Sequence, residues 1–190
     1  MLAHLRELEA AGVSSIKIEG RNKKAFYVAS VVSAYRRVLD GEPWENVAAE
    51  LEDVSHRPYG TGFYFEEAAQ ATNYDGYEQQ TMHVADVVSS GRATDGSVHL
   101  VTRCRNRYCE GDEVEILSPR KPVKSLSVRN LTGLPRPTEE DPHPQPTPVA
   151  VANRSCDLYQ IDCDEPVEPG SFVRVRAFRR SARHEDPLAK

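Results

Sequence analysis

The sequence has no apolar run approaching the roughly 18–20 residues that a membrane-spanning helix needs. Nor does it open on a signal peptide. The start, MLAHLRELEAAGVSS, is interrupted by charge within six residues and no apolar core segment follows. These two absences predict a cytoplasmic protein with no membrane partner. Cysteine is scarce: Cys104, Cys109, Cys156 and Cys163 are too few to scaffold a chain of 190 residues with disulfides. Zinc pairs usually lie about two to four residues apart. Here four residues separate the first two cysteines and six the second two. The four therefore read as ordinary thiols in or near strands, and no metal ligand set is expected. An excess of positive charge is also lacking. The formal net charge of −5 excludes a general electrostatic nucleic-acid binder, although a local basic patch depends on placement rather than on the total.

What is present is globular. A hydrophobic fraction of 39% and a charged fraction of 28% suit one to two packed domains. Leu2, Leu5 and Leu8 recur at helical spacing up to Gly12, and VSSIKIEG then reads as a short strand ending at Gly20. A helix followed by a strand is half of an α/β unit and cannot bury itself. Leu2, Leu5, Ile16 and Ile18 are accordingly expected at the surface, and the first 20 or so residues to be unstable alone. Residues 24–40 form the strongest helix, with Val28, Val31, Val32, Tyr35, Val38 and Leu39 on one apolar face. A second helix is expected from about Trp44 to Val54, with Pro43 in its first turn and Trp44, Val47, Ala48 and Leu51 facing inward.

From Ser55 the texture changes to a Gly-, aromatic- and polar-rich linker. Beyond it lie short runs, VADVVS, SVHLVTR, DEVEILS, KSLSVR, PVAVAN, LYQIDC and SFVRVRA, separated by turn residues. Val114 and Ile116 alternate with Glu113 and Glu115, and Val173 and Val175 with Arg174 and Arg176, which is the period of a half-buried strand. Such spacing predicts a small antiparallel barrel or sandwich. The prolines of residues 131–148 predict an exposed, partly disordered loop there.

Three groups of residues could carry chemistry. Lys17, Glu19 and Arg21 alternate onto one side of the first strand. At the C-terminal end of a barrel strand, Lys17 and Arg21 would suit a carboxylate or phosphate, and Glu19 could orient them or move a proton. The same pattern also fits a structural ion-pair network. His56, Arg57 and Tyr59 lie in the aromatic loop, where a substrate-binding role competes with that of a structural wrap. No nucleophile is fixed beside His56, so no Ser–His–Asp arrangement is read there. Finally, Arg103, Arg105, Arg107 and Tyr108 on one hairpin, with Arg174, Arg176, Arg179, Arg180 and Arg183, could follow an RNA backbone and stack bases. A solvated strand face is the alternative.

Three stretches resemble a known family in its own order. SSIKIEGRNKKAFYVASVVSAYRR is similar to the "SLKIEGRMKS-x-YYVA…V-x-x-YR" segment of the collagenase-like peptidase U32 family. VSHRPYGTGFYF is similar to its "SHRGYTTGFYF" stretch, and RNRYCEGDEVEIL to its "RNKF-x-x-GD-x-x-E-I" segment. Departures are modest: Asn22 stands for Met, Pro58 for Gly and Gly60 for Thr.

The resemblance implies an α+β chain: a remnant of the last βα unit of a TIM-like barrel, two connecting helices, then a small antiparallel β-barrel. By residue, this places a catalytic-domain remnant with its helices at 1–54 and an ordered linker at 55–80. The β-barrel domain follows at 81–180 with a Pro-rich insertion at 131–148, and a tail at 181–190. The resemblance also implies a parent acting on tRNA or rRNA as a hydroxylation factor, with the β-domain binding substrate. A peptidase acting on collagen-like peptides and an inactive fragment are the alternatives. Lys17, Glu19 and Arg21 would be catalytic, and His56, Arg57, Tyr59, Arg105 and Arg107 would bind substrate. An iron–sulfur cluster would sit on cysteines upstream of Met1, so that this chain begins inside its parent and itself carries no cofactor.

Overall fold

The computed structural model describes residues 1–65 and 78–176, which fall into two units, Met1–Thr81 and Met82–Lys190. The tail and the arginines at 179, 180 and 183, together with residues 66–77 of the linker, lie outside the described residues. No helix among the described residues is long and apolar enough to cross a membrane.

In the first unit a 3₁₀ turn, Leu2–His4, runs into α1 (Leu5–Ala10). The two longer helices are α2 (Ala25–Leu39) and α3 (Trp44–Glu52). Both α1 and α2 end on a glycine with positive φ, Gly12 and Gly41. After α1 the N–H groups of Gly12 and Val13 return to Glu9 and Leu8; after α2 those of Gly41 and Glu42 return to Val38 and Arg37. This paired return satisfies carbonyls that the helix end would otherwise orphan. Pro43 caps α3, and Val47 and Leu51 of α3 are buried, whereas Trp44 is 40% exposed.

Three expectations fail here. Residues 13–20 form no strand: among the described residues no other segment pairs with them, and a strand has no ladder without a neighbour. A TIM-barrel remnant is therefore not what this segment shows. Leu2 and Leu5 are buried rather than exposed, while Ile16 does face solvent. The apolar face of α2 is also rotated from the expected one. Phe26, Ser30, Val31, Ala34, Arg37 and Val38 point inward, and Val28 and Val32 are exposed.

The second unit is a curled antiparallel sheet. Its strands are β1 (Thr81–Arg92), β2 (Val98–Cys104), β4 (Glu113–Leu117), β5 (Lys124–Ser127), β6 (Thr132–Leu134), β7 (Thr147–Pro148), β9 (Leu158–Cys163) and β10 (Phe172–Arg176). A separate two-stranded pair joins β3 (Tyr108–Cys109) to β8 (Val151–Ala152). The order in the large sheet is β5-β4-β10-β1-β2-β9-β6-β7, with β5 and β7 as edges. The expected barrel is thus a half-barrel. Its core cluster includes Val84, Leu100, Val114, Ile116, Ile161 and Val173, all at most 3% exposed.

Two details correct the sequence reading. The stretch expected to be a loop from Leu131 begins instead with β6, which lies between β9 and β7. Its three residues precede the first proline of the run, and Pro148 sits on edge strand β7, where a missing N–H costs no ladder bond. Alternation places Arg174 outward, yet it is 1% exposed. Glu115, its register partner on β4, receives Arg174 Nε at 2.9 Å and Arg176 Nε at 2.7 Å, so the guanidinium is buried together with its counter-charge.

Candidate functional site

The residues singled out at 17, 19 and 21 lie on the irregular segment before α2. Lys17 and Glu19 are exposed and 3.8 Å apart, and Glu19 Oε1 accepts the Arg21 N–H at 2.9 Å. A cavity of about 410 Å³ opens beside them. Its lining includes Ile16, Lys17, Ile18 and Glu19 together with Tyr27, Tyr35, Tyr59 and Tyr64. That volume is within the usual range for small-molecule pockets, roughly 300–1,000 Å³. The structure therefore brings Lys17, Glu19 and Tyr59 onto one cavity, while Arg21, His56 and Arg57 are not in its lining. Burial, with Tyr27 nearby, pushes the Tyr35 phenol above its ordinary range. Tyr59 is raised as well, chiefly by burial, and its hydroxyl donates to the Leu51 carbonyl at 2.7 Å. These phenols stay neutral and offer hydrogen bonds rather than charge.

His56 lies beneath the surface of the aromatic loop rather than on it. It is 4% exposed, stacked on Tyr59 with ring centroids 4.2 Å apart, and locked by Nδ1 against the Arg57 carbonyl at 2.7 Å. Its backbone pairs in both directions with Glu78, and Glu52 Oε2 lies 3.1 Å from its Nε2. Among the described residues, Glu52, His56 and Glu78 are the His/Cys/Asp/Glu group whose ligand atoms converge, all within 4.8 Å of one another. Sequence reasoning picked out His56 but missed both carboxylates. The spacing of Glu52 and His56, four residues, was a readable signal; the pairing with Glu78 was not.

No cysteine belongs to that group. Cys104 and Cys163 are buried, donate to the carbonyls of Asn106 and Glu165, and have thiols pushed up by burial. Cys109 is half-buried and Cys156 exposed. Two buried, protonated thiols engaged by backbone carbonyls do not fit an iron–sulfur cluster, which needs thiolates.

On the sheet, Arg103, Arg105 and Arg107 are all exposed. Arg105 Nε contacts Asp86 at 2.7 Å. Tyr108 cannot stack a base: it is 1% exposed and its hydroxyl lies 2.8 Å from Thr102 Oγ1 in the core. A second arrangement that the sequence did not suggest joins Ser97, His99 and Asp162. Ser97 Oγ lies 2.8 Å from His99 Nε2, and His99 Nδ1 lies 2.9 Å from Asp162 Oδ1. It imitates a hydrolytic triad but does not work as one. Ser97 Oγ donates to Asp95 at 2.6 Å, and that bond, with the Ser97 N–H, holds the Asp95 carboxyl below its ordinary range. The hydroxyl proton points at a stable carboxylate rather than at the imidazole that would have to remove it.

Comparison with known proteins agrees with the resemblance in the sequence. Residues 1–74 match the model of the family described as Peptidase family U32. The chain is similar to tRNA hydroxylation protein P of Haemophilus influenzae, 31% identical over 142 residues, covering 68% of this chain and 30% of that protein. It is also similar to tRNA hydroxylation protein P of Escherichia coli (28% over 130 residues; 63% and 27% covered). With tRNA hydroxylation protein P1 of Bacillus subtilis, identity is 35% over 123 residues, with 57% and 28% covered. The chain thus spans under a third of the length of these curated relatives. Among solved structures, the C-terminal domain of a Geobacillus thermoleovorans protein of the U32 type is similar at a TM-score of 0.37 and 16% identity, covering 49% of this chain and 98% of that one.

Proposed function

Because the chain belongs to peptidase family U32, we propose that it serves tRNA hydroxylation, with the sheet unit supplying a tRNA-binding surface. Three relatives named for tRNA hydroxylation support this reading. The Haemophilus match, at 68% of the chain, is longer than either unit alone, so the likeness takes in both. The observation that carries the surface assignment is the cluster of exposed Arg103, Arg105 and Arg107 at the end of β2, in a chain whose overall charge is negative. Phosphates need local charge, and a surface ion pair such as Arg105–Asp86 is worth only about 0–1 kcal/mol, so it yields to a phosphate. Lys17 and Glu19, beside the tyrosine-lined cavity, are the groups we assign to the reacting part of the substrate, with Arg21 held near them by Glu19. Arg57 and Tyr59, both exposed, remain substrate-contacting candidates in this reading, and His56 supports them from beneath. The cytoplasm, where tRNA is found, is the compartment this function requires. An iron–sulfur cluster, where the reaction uses one, is held by residues other than the four cysteines of this chain.

Filter binding of the chain to unfractionated tRNA across a salt series tests the surface. Affinity should fall as salt rises, because phosphate contacts release counterions. The R103E/R107E variant should bind more weakly, and its log–log salt slope should be shallower by about one per lost contact. Absence of binding at low salt, or an unchanged slope in the variant, would overturn the assignment.

A further inference from the structure

We propose that Glu52, His56 and Glu78 form a binding site for a divalent first-row transition cation. The Arg57 carbonyl can only accept, so His56 Nδ1 carries the proton in the 2.7 Å bond between them. In the neutral ring that leaves Nε2 with a lone pair, and Nε2 is sealed from solvent with no hydrogen-bond partner. Glu52 Oε2 stands 3.1 Å away but out of line for a hydrogen bond. A buried lone pair facing a carboxylate oxygen is unfavourable unless something positive lies between them.

The spacing is that of two neighbouring ligands on one ion. Nitrogen and oxygen ligands bind such metals at about 2.0–2.2 Å, which puts adjacent ligand atoms roughly 3.0–3.5 Å apart. Glu78 completes the set. Its backbone is bonded to that of His56 in both directions, and directly opposed residues of such a pair project their side chains to the same face. Glu78 is exposed and Glu52 half-buried, so the ion has a route in from solvent. The Arg57 carbonyl fixes the tautomer, as the outer partners of metal-bound histidines do. One imidazole with two carboxylates suits Mn²⁺, Fe²⁺ or Zn²⁺ rather than a soft ion, and three protein ligands leave positions for water or a substrate oxygen.

Mn²⁺ is the suitable probe, because the exposed Cys156 thiol competes for zinc but has little affinity for manganese. Titration of the full chain should show one equivalent bound, by loss of the free-ion electron paramagnetic resonance signal. Spin-echo modulation should reveal a directly coordinated nitrogen. E52Q and E78Q, at accessible positions, should each weaken binding about tenfold or more, in the range typical of disturbed metal sites. H56Q should abolish the nitrogen modulation. If H56Q does not fold, E52Q and E78Q decide. A chain that binds no Mn²⁺, or binds it without nitrogen coupling and equally well in both glutamate variants, would show that Glu52 and His56 form a plain ion pair and would overturn the site.

Discussion

Arg37 shows how much one charged residue can organise. It is 5% exposed, and its guanidinium meets Glu42 twice, at 2.7 and 2.6 Å, and Glu50 of α3 at 2.6 Å. The glycine turn that ends α2 folds Glu42 back over this guanidinium, so a cap of the helix backbone also builds the ion pair. Removing one partner of a buried pair leaves the other charge stranded, at a cost of about 3–5 kcal/mol. R37M should therefore lower the urea-unfolding free energy by about that much, and R37M/E50L should recover most of the loss. Arg37 also holds the Glu42 carboxyl below its ordinary 4.5, first through their hydrogen bonds. A depressed carboxyl stabilises the fold above its unfolded pKa, and this contribution disappears as pH falls through the folded value. The gap between wild type and R37M should consequently narrow below about pH 4.5. None of this was legible in the hydropathy pattern. Periodicity selected Val28 and Val32 for the buried face, because it weighs each residue's own polarity and cannot register that Arg37 has Glu50 waiting on the next helix. Arg174 and Glu115 were misread for the same reason.

At the scale of elements, the helices and most strands could be read from period and turn residues, whereas the segment between α1 and α2 could not. VSSIKIEG has the alternation of a strand, but alternation describes side-chain polarity and not the presence of a pairing partner. The segment is instead anchored by contact. A Cβ added to Gly20 would lie 2.8 Å from Val28 Cγ2 on α2, closer than real Cβ atoms approach. Valine in a helix holds essentially one χ1 rotamer, so its methyl cannot swing aside cheaply. G20A should thus cost about 1–3 kcal/mol, the usual range for overpacking, and G20A/V28A should restore most of it. Equal destabilisation in the single and double variants would place the glycine's role in its backbone instead. The short strands β3, β6 and β7 were missed because two or three residues carry no period. Long-range pairing creates them, and it likewise brings Glu78 to His56.

The whole molecule divides at Thr81, and its two units should unfold separately. Among the described residues, eighteen buried ones form a continuous core in the sheet unit. The buried hydrophobic residues described in the helical unit are fewer: Leu2, Leu5, Phe26, Val31, Ala34, Val38, Val47, Leu51 and Val54. Burial of apolar surface is the main term opposing conformational entropy, at about 25 cal/mol per Å², so the sheet unit should be the more stable. The chain reports on this directly. Its one tryptophan, Trp44, lies in α3, so its fluorescence follows the helical unit alone, while the β signal in far-UV circular dichroism follows the sheet. In urea the fluorescence transition should precede the loss of β signal, since non-coincident probes are the signature of more than two states. A fragment of residues 79–176 should unfold cooperatively with a midpoint matching the later transition. Coincident transitions in the full chain, or a fragment without a cooperative transition, would mean that the half-barrel depends on the helical unit. A sheet whose edge strands β5 and β7 have no further strand beside them among the described residues makes that a demanding test, because such edges expose backbone groups that only its own core can hold in register.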